Sequence, residues 1–142
     1  MAQSEAAIEM SDLERTVRRC GAEMKSKLLQ EEGGVLRAKE FAERLDITLL
    51  ELGRMRKRNE VFWLTVGNDI VYPSFQIGKM GLLPGIGDVI DAFALDDPWV
   101  QVYVMLTGDL RLGGWRPIDA LREGRIDDVK FAVRAYGEHG AA

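Results

Sequence analysis

The sequence predicts a mainly α fold with a small β-hairpin: a winged helix-turn-helix-like unit followed by a compact C-terminal helical domain. Three observations carry this prediction. Apolar residues recur at helical spacing through most of the chain. Residues 61–72 switch instead to aromatic and β-branched side chains around the turn formers Gly67-Asn68-Asp69. A stretch holding Gly78, Gly81, Pro84, Gly85 and Gly87 then separates two halves.

The first element is expected in residues 1–34. Ser11-Asp12-Leu13-Glu14 has the form of a capping box, in which the serine hydroxyl and the glutamate each satisfy a free backbone N–H. A helix from there to about Glu32 places Leu13, Val17, Cys20, Met24 and Leu28 on one apolar stripe. The stripe either packs on its own domain or serves as a dimerisation helix, making a homodimer. Gly33-Gly34 ends it.

Residues 35–77 hold the helix-turn-helix-like unit. A helix is expected over Val35–Leu45, with Leu36 or Ala38, Phe41, Ala42 and Leu45 inward. Asp46-Ile47-Thr48 is a tight break. Leu49–Arg58 reads as a third helix, with Leu49, Leu52 and Met55 on one face. Two short helices joined by about three residues match the motif. Val61–Val66 and Ile70–Tyr72 form the hairpin, or wing, and Pro73–Gln76 continues as a short helical turn or a loop.

Residues 85–142 read as helical. A short helix is expected over Asp88–Leu95. Asp97-Pro98 is a strong start for a helix to about Thr107, with an acid at the cap and proline where its missing N–H does no harm. Gly108-Asp109 and Gly113-Gly114 mark a loop, Pro117–Arg122 a short helix closed by Gly124, and Asp128–Tyr136 the last helix.

Composition narrows the function. In 142 residues, 46% are hydrophobic and 30% charged, which suits a packed core and not a disordered chain. No apolar run is long enough to span a bilayer, and Met1–Ala7 does not resemble a secretory signal. The single cysteine, Cys20, forms no intrachain disulfide, which fits a cytoplasmic location. The net charge of −4 argues against indiscriminate coating of nucleic acid. Between Val35 and Glu60, however, seven basic residues outnumber five acidic ones, leaving that segment at +2 and the remainder at −6.

Little in the sequence supports an enzyme. The lone histidine, His139, lies in the tail, and Cys20 has no candidate base beside it. One His and one Cys do not build a typical zinc site, so neither a metal nor a cofactor is expected. Asp96-Asp97 and Asp127-Asp128 precede helices, where acids offset the positive end of the dipole. Gly85-Ile86-Gly87 is too short for a dinucleotide fingerprint.

The basic cluster is the remaining chemical signal. Arg54, Arg56, Lys57 and Arg58 either form a solvated helix end or meet phosphates and base edges in a major groove, with Arg37 and Lys39 flanking the DNA backbone. In the second half, Gly113-Gly114 is followed by Trp115 and Arg116, side chains that often anchor interfaces. Trp115 equally suits closure of the core.

The C-terminal half resembles the toxin-binding domain of antitoxins of the Xre/MbcA/ParS group. The residues that carry the likeness are Asp97-Pro98-Trp99, Leu106-Thr107, Leu112-Gly113-Gly114, Pro117, Ala120-Leu121, Gly124 and Val129. The resemblance implies a protein that neutralises a partner toxin, often a RES-domain enzyme, and that represses its own operon, commonly as a dimer. It assigns partner binding to Leu112, Gly113, Gly114, Trp115, Arg116 and Pro117. Two features depart from the group. A short unit with a wing stands where better-known members have an all-helical DNA-binding domain, and Gly108-Asp109 stands where relatives tend to have proline and asparagine. The alternative is a protein-interaction module that binds no DNA.

Overall fold

The structure, a computed structural model, describes Lys27 and residues 30–138. The apolar stripe expected from Leu13 to Leu28, and His139, lie outside the described residues. The architecture is mainly helical with a small antiparallel sheet. After a 3-10 turn at Glu31–Gly33 come β1 (Val35–Arg37), α1 (Ala38–Leu45), α2 (Leu49–Lys57), β2 (Leu64–Val66) and β3 (Asp69–Pro73). A second 3-10 turn, Ser74–Gln76, leads to β4 (Ile77–Gly78) and β5 (Gly81–Leu82). Then follow α3 (Ile86–Ala92), α4 (Pro98–Met105), a 3-10 turn at Leu110–Leu112, α5 (Pro117–Arg122) and α6 (Ile126–Glu138). Among the described residues, no helix is long and apolar enough to cross a membrane.

β1 corrects the expectation of a helix beginning at Val35. Gly33 and Gly34 take φ of +88° and +78°, which turns the chain out of the preceding helical path. Val35, Leu36 and Arg37 then pair antiparallel with Pro73, Tyr72 and Val71. The helical period is real, but it starts only at Ala38, after Arg37 in extended backbone. A pairing partner this distant in sequence is invisible to local periodicity.

The three-stranded sheet runs in the order β1-β3-β2 and separates two cores. Successive strand residues point to opposite faces. Val35, Leu64 and Val71 accordingly join one core, and Leu36, Ile70 and Tyr72 the other. The smaller core holds Phe41, Ala42, Leu52 and Val61 around Tyr72, whose ring stacks on Phe41 at 4.8 Å. The larger takes Val89 from α3, Val100 and Met105 from α4, Ile118 from α5, and Val129 and Val133 from α6. Side chains of the hairpin therefore pack with the C-terminal helices across the Gly/Pro-rich stretch. That stretch itself carries the β4–β5 pair.

The helical half follows its sequence signals closely. Asp97 caps α4, its Oδ1 accepting from the N–H of Trp99 at 2.9 Å and of Val100 at 3.4 Å. α4 buries Trp99, Val100, Val102, Val104 and Met105, which leaves it apolar on nearly every side, as a central helix must be. α3 and α6 begin two residues earlier than their acidic residues suggest, so Asp88, Asp127 and Asp128 lie in the first helical turns.

Candidate nucleic-acid interface

α1 and α2 are joined by a turn with defined chemistry. Asp46 adopts the left-handed conformation (φ 57°, ψ 46°), tolerated by its short polar side chain, and its N–H donates to Glu43 O. The Ile47 N–H donates to Ala42 O at 3.0 Å. Thr48 then caps α2, its Oγ1 accepting from the Glu51 N–H at 3.0 Å. At the far end, Asn59 is left-handed and the Glu60 N–H donates to Met55 O at 2.9 Å. Both ends of α2 are thus closed by local bonds, and its orientation is set by Leu52, buried against α1.

The hairpin follows directly. Val66 pairs with Asp69, so the loop is the two residues Gly67-Asn68. Gly67, with φ +63°, takes the position where a two-residue hairpin turn requires positive φ.

The sequence places Leu49 inward with Leu52 and Met55, but it is 57% exposed. At 100° per residue it lies about 90° from the mid-line of the Leu52–Met55 face, so burying that face leaves it at the edge. The opposite, solvent face presents Leu50, Gly53, Arg54 and Lys57 at i, i+3, i+4 and i+7. Leu50 is 68% exposed. From the sequence, Leu49, Leu50, Glu51 and Leu52 count against a DNA-reading helix, because they offer few hydrogen-bonding groups at its exposed start; Gly53 carries no charge signal, although its spacing with Arg54 and Lys57 is visible.

The six expected DNA-contacting cations divide into groups. Arg54, Lys57 and Arg58 are exposed at the end of α2 and, among the described residues, form no ion pair. Arg56 is different. Its guanidinium stands 5.6 Å from the centroid of the Trp63 ring, over the start of the hairpin. It also faces Tyr72, where burial pushes the phenol pKa up while Arg56 pulls it down. Arg56 therefore clasps α2 to the hairpin. Lys39 is exposed on α1, on the side that also carries Glu43. Arg37 lies opposite Val71, on the sheet face turned away from the smaller core, and lines a shallow cleft of about 300 Å³ with Glu40, Val66 and Asp69. The fold thus gathers Arg54, Lys57 and Arg58 and does not bring Arg37 and Arg56 to the same face.

The expected partner loop is also split. Leu112 is 2% exposed and Pro117 is buried, so both face the core. Gly113, Gly114 and Trp115 are exposed, and the Arg125 guanidinium covers the Trp115 ring at 5.4 Å. Trp115, at 45% exposure, does not close the core; in the same loop Leu110 is 94% exposed. The loop is held by Asp109, itself buried. Its N–H donates to Trp115 O, its carbonyl accepts from Gly114 N–H, and its Oδ2 accepts from the Tyr136 hydroxyl at 3.3 Å.

Arg116 turns the other way, into an ionic cluster absent from the sequence reading. Its Nη2 donates to Glu32 Oε2 at 2.6 Å and its Nε to Asp119 Oδ2 at 2.7 Å. Arg122 joins Glu32 Oε1 at 2.9 Å and Asp119 Oδ1 at 3.3 Å. Hydrogen bonds from Arg116 and then Arg122 hold the Glu32 carboxyl below its ordinary pKa, and Arg116 does the same for Asp119. Ser74 fixes the same segment, its hydroxyl lying 3.0 Å from both the Glu32 and Gly34 carbonyl oxygens. The chain entering β1 is thereby tied to α5.

Neither a protein-family model nor a curated protein sequence matches the chain. Its fold is similar to that in the NMR structure of Rv2175c, with a TM-score of 0.61 at 15% identity, over 77% of this chain and 84% of that one.

Proposed function

We propose that residues 35–73 form a winged helix-turn-helix unit and that the chain is a regulator that binds double-stranded DNA through it. The observation that carries this reading is the outer face of α2. Arg54 and Lys57 project from it, Arg58 follows at its end, and none of the three is engaged by an acid among the described residues. A helix of this kind, capped at both ends and followed by a two-residue hairpin, offers a major groove cations on the helix and a hairpin beside it. The overall negative charge limits non-specific binding and leaves a local basic face. Release of counterions predicts that log affinity falls by about 0.9 per phosphate contact with each tenfold rise in salt.

The test is fluorescence anisotropy of the full chain with duplex DNA from upstream of its own gene, over a salt series. Wild type should bind with a steep slope. Replacing Arg54, Lys57 and Arg58 together by alanine should abolish binding at physiological salt, or flatten the slope by about 3. Unchanged binding by that variant would refute this assignment of the surface.

A second reading adds a protein partner. Leu110 and Trp115 present apolar surface from a loop otherwise anchored by Asp109. The resemblance to antitoxins makes a toxin, often of RES type, the partner to look for. A pull-down of the tagged chain from its native cells, with the adjacent gene intact, should recover a stoichiometric protein encoded next door. Its absence would leave DNA binding as the sole activity proposed.

A further inference from the structure

The outer face of α2 carries a feature that phosphate binding alone does not explain. Leu49 and Leu50, the first two residues of the helix, are 57% and 68% exposed. One turn on, Gly53 sits in the helix interior, where glycine is less stable than alanine. Nothing among the described residues requires it: a Cβ built at Gly53 meets none of their atoms within 4 Å. Nor is its backbone left-handed, unlike the chain's turn glycines. A glycine that costs stability and accommodates no neighbour among the described residues leaves room for a close approach to the helix at that point. Arg54 and Lys57, free of ion pairs among the described residues, flank the gap.

We infer that this face reads thymine. Resting on the DNA-binding reading above, the inference assigns Leu50, with Leu49 beside it, to the C5-methyl groups of thymines in the major groove. These methyls are the only apolar feature a base pair shows there. The amino-terminal residues of a groove-bound helix are the ones that reach base edges. Gly53 lets the helix settle deeply enough for the leucines to touch, and Arg54 and Lys57 hold the flanking phosphates. Two exposed leucines would also suit a protein surface, but the unpaired cations and the gap at Gly53 favour a polyanion with a groove.

The test uses the full chain and a random 20-base-pair pool, from which bound duplexes are enriched and sequenced. The recovered duplex is then compared with the same duplex carrying deoxyuridine for thymine, which removes only the methyl. Affinity should fall about fourfold for each contacted thymine, from the burial of one methyl-sized group. The double variant Leu49→Ala, Leu50→Ala should bind the thymine and uracil duplexes equally. Gly53→Ala should raise the thermal midpoint of the free protein while weakening DNA binding. Equal affinity of wild type for both duplexes would overturn the inference and leave the DNA-binding reading standing. Recovery of no duplex would overturn both. In that case, a self-association lost in Leu50→Arg would assign the face to a second copy of the chain.

Discussion

Gln76 completes the backbone of Phe62. Its Oε1 accepts from the Phe62 N–H at 2.8 Å and its Nε2 donates to the Phe62 carbonyl at 2.8 Å, with a further bond to Pro73 O at 3.0 Å. Phe62 precedes β2 and has no strand partner, so the Gln76 amide stands in for one. Gln76 is completely buried, and Phe62 contacts Phe75 and Phe93 beside it. Gln76→Met keeps the size of the side chain and orphans the Phe62 N–H and C=O in the core. Each orphaned group costs about 1–3 kcal/mol, so the loss should be about 2–6 kcal/mol in urea denaturation at unchanged m-value. A loss below about 0.5 kcal/mol would mean that water or backbone movement replaces the amide.

Gln76 also marks the limit of what the sequence makes legible. The α2 boundaries, the hairpin, the Asp97-Pro98 start of α4 and the span of α5 follow from local signals: a capping threonine, a two-residue turn, a proline at the first turn. Each depends on neighbours within a few residues. Gln76 bonds to a residue 14 positions away, and Glu32 to Arg116 and Arg122 at 84 and 90. No periodicity encodes such pairs. For the same reason β1 reads locally as helix, and the ion pair that Arg116 makes with Glu32 goes unseen. The cations of α2 are legible as charge, but their sorting into outward Arg54, Lys57 and Arg58 and inward Arg56 needs the hairpin that carries Trp63.

That sorting separates stability from binding in a measurable way. Arg56→Ala removes the guanidinium from the Trp63 ring and should lower stability by about 0.5–1 kcal/mol, the range for a partly exposed cation–π pair. Arg58→Ala should leave the thermal midpoint unchanged and weaken DNA binding. Thermal melts and anisotropy on the two variants check both. Equal effects of the two substitutions on both readouts would contradict the division.

The Glu32 cluster predicts a pH dependence. Arg116 and Arg122 lower the folded-state pKa of Glu32, and Arg116 that of Asp119, below their ordinary values of 4.5 and 3.8. A lowered folded pKa means that the unfolded chain takes up protons first as pH falls. The stabilisation is then fully present above about pH 5 and is lost as pH drops through the ordinary carboxylate range to the folded values. Because the groups are partly exposed, the loss should be on the order of 1 kcal/mol. Glu32→Gln should be less stable than wild type at pH 7, and the difference should shrink as pH falls to 3. If the difference persists unchanged at pH 3, the contribution comes from packing of the 31–34 segment and not from its charge.

The exposed Trp115 depends on a close approach between two backbones. A Cβ at Gly108 would lie 2.8 Å from the Gly114 carbonyl oxygen, a contact that no flexible side chain can relieve. Gly114 is in turn fixed by its N–H bond to Asp109 O, and Asp109 N–H bonds Trp115 O, so the three positions move together. Gly108→Ala should therefore cost about 1–3 kcal/mol, as overpacking does, and shift the indole N–H signal of Trp115 as its ring leaves Arg125. Trp115→Phe assigns that signal among the three tryptophans. Trp115→Ala, by contrast, removes a 45% exposed side chain and should change stability little while reducing capture of any partner that docks on this loop. An unchanged melt and an unmoved indole signal in Gly108→Ala would show that the loop shifts freely. The Asp109 bonds would then not be what presents Trp115.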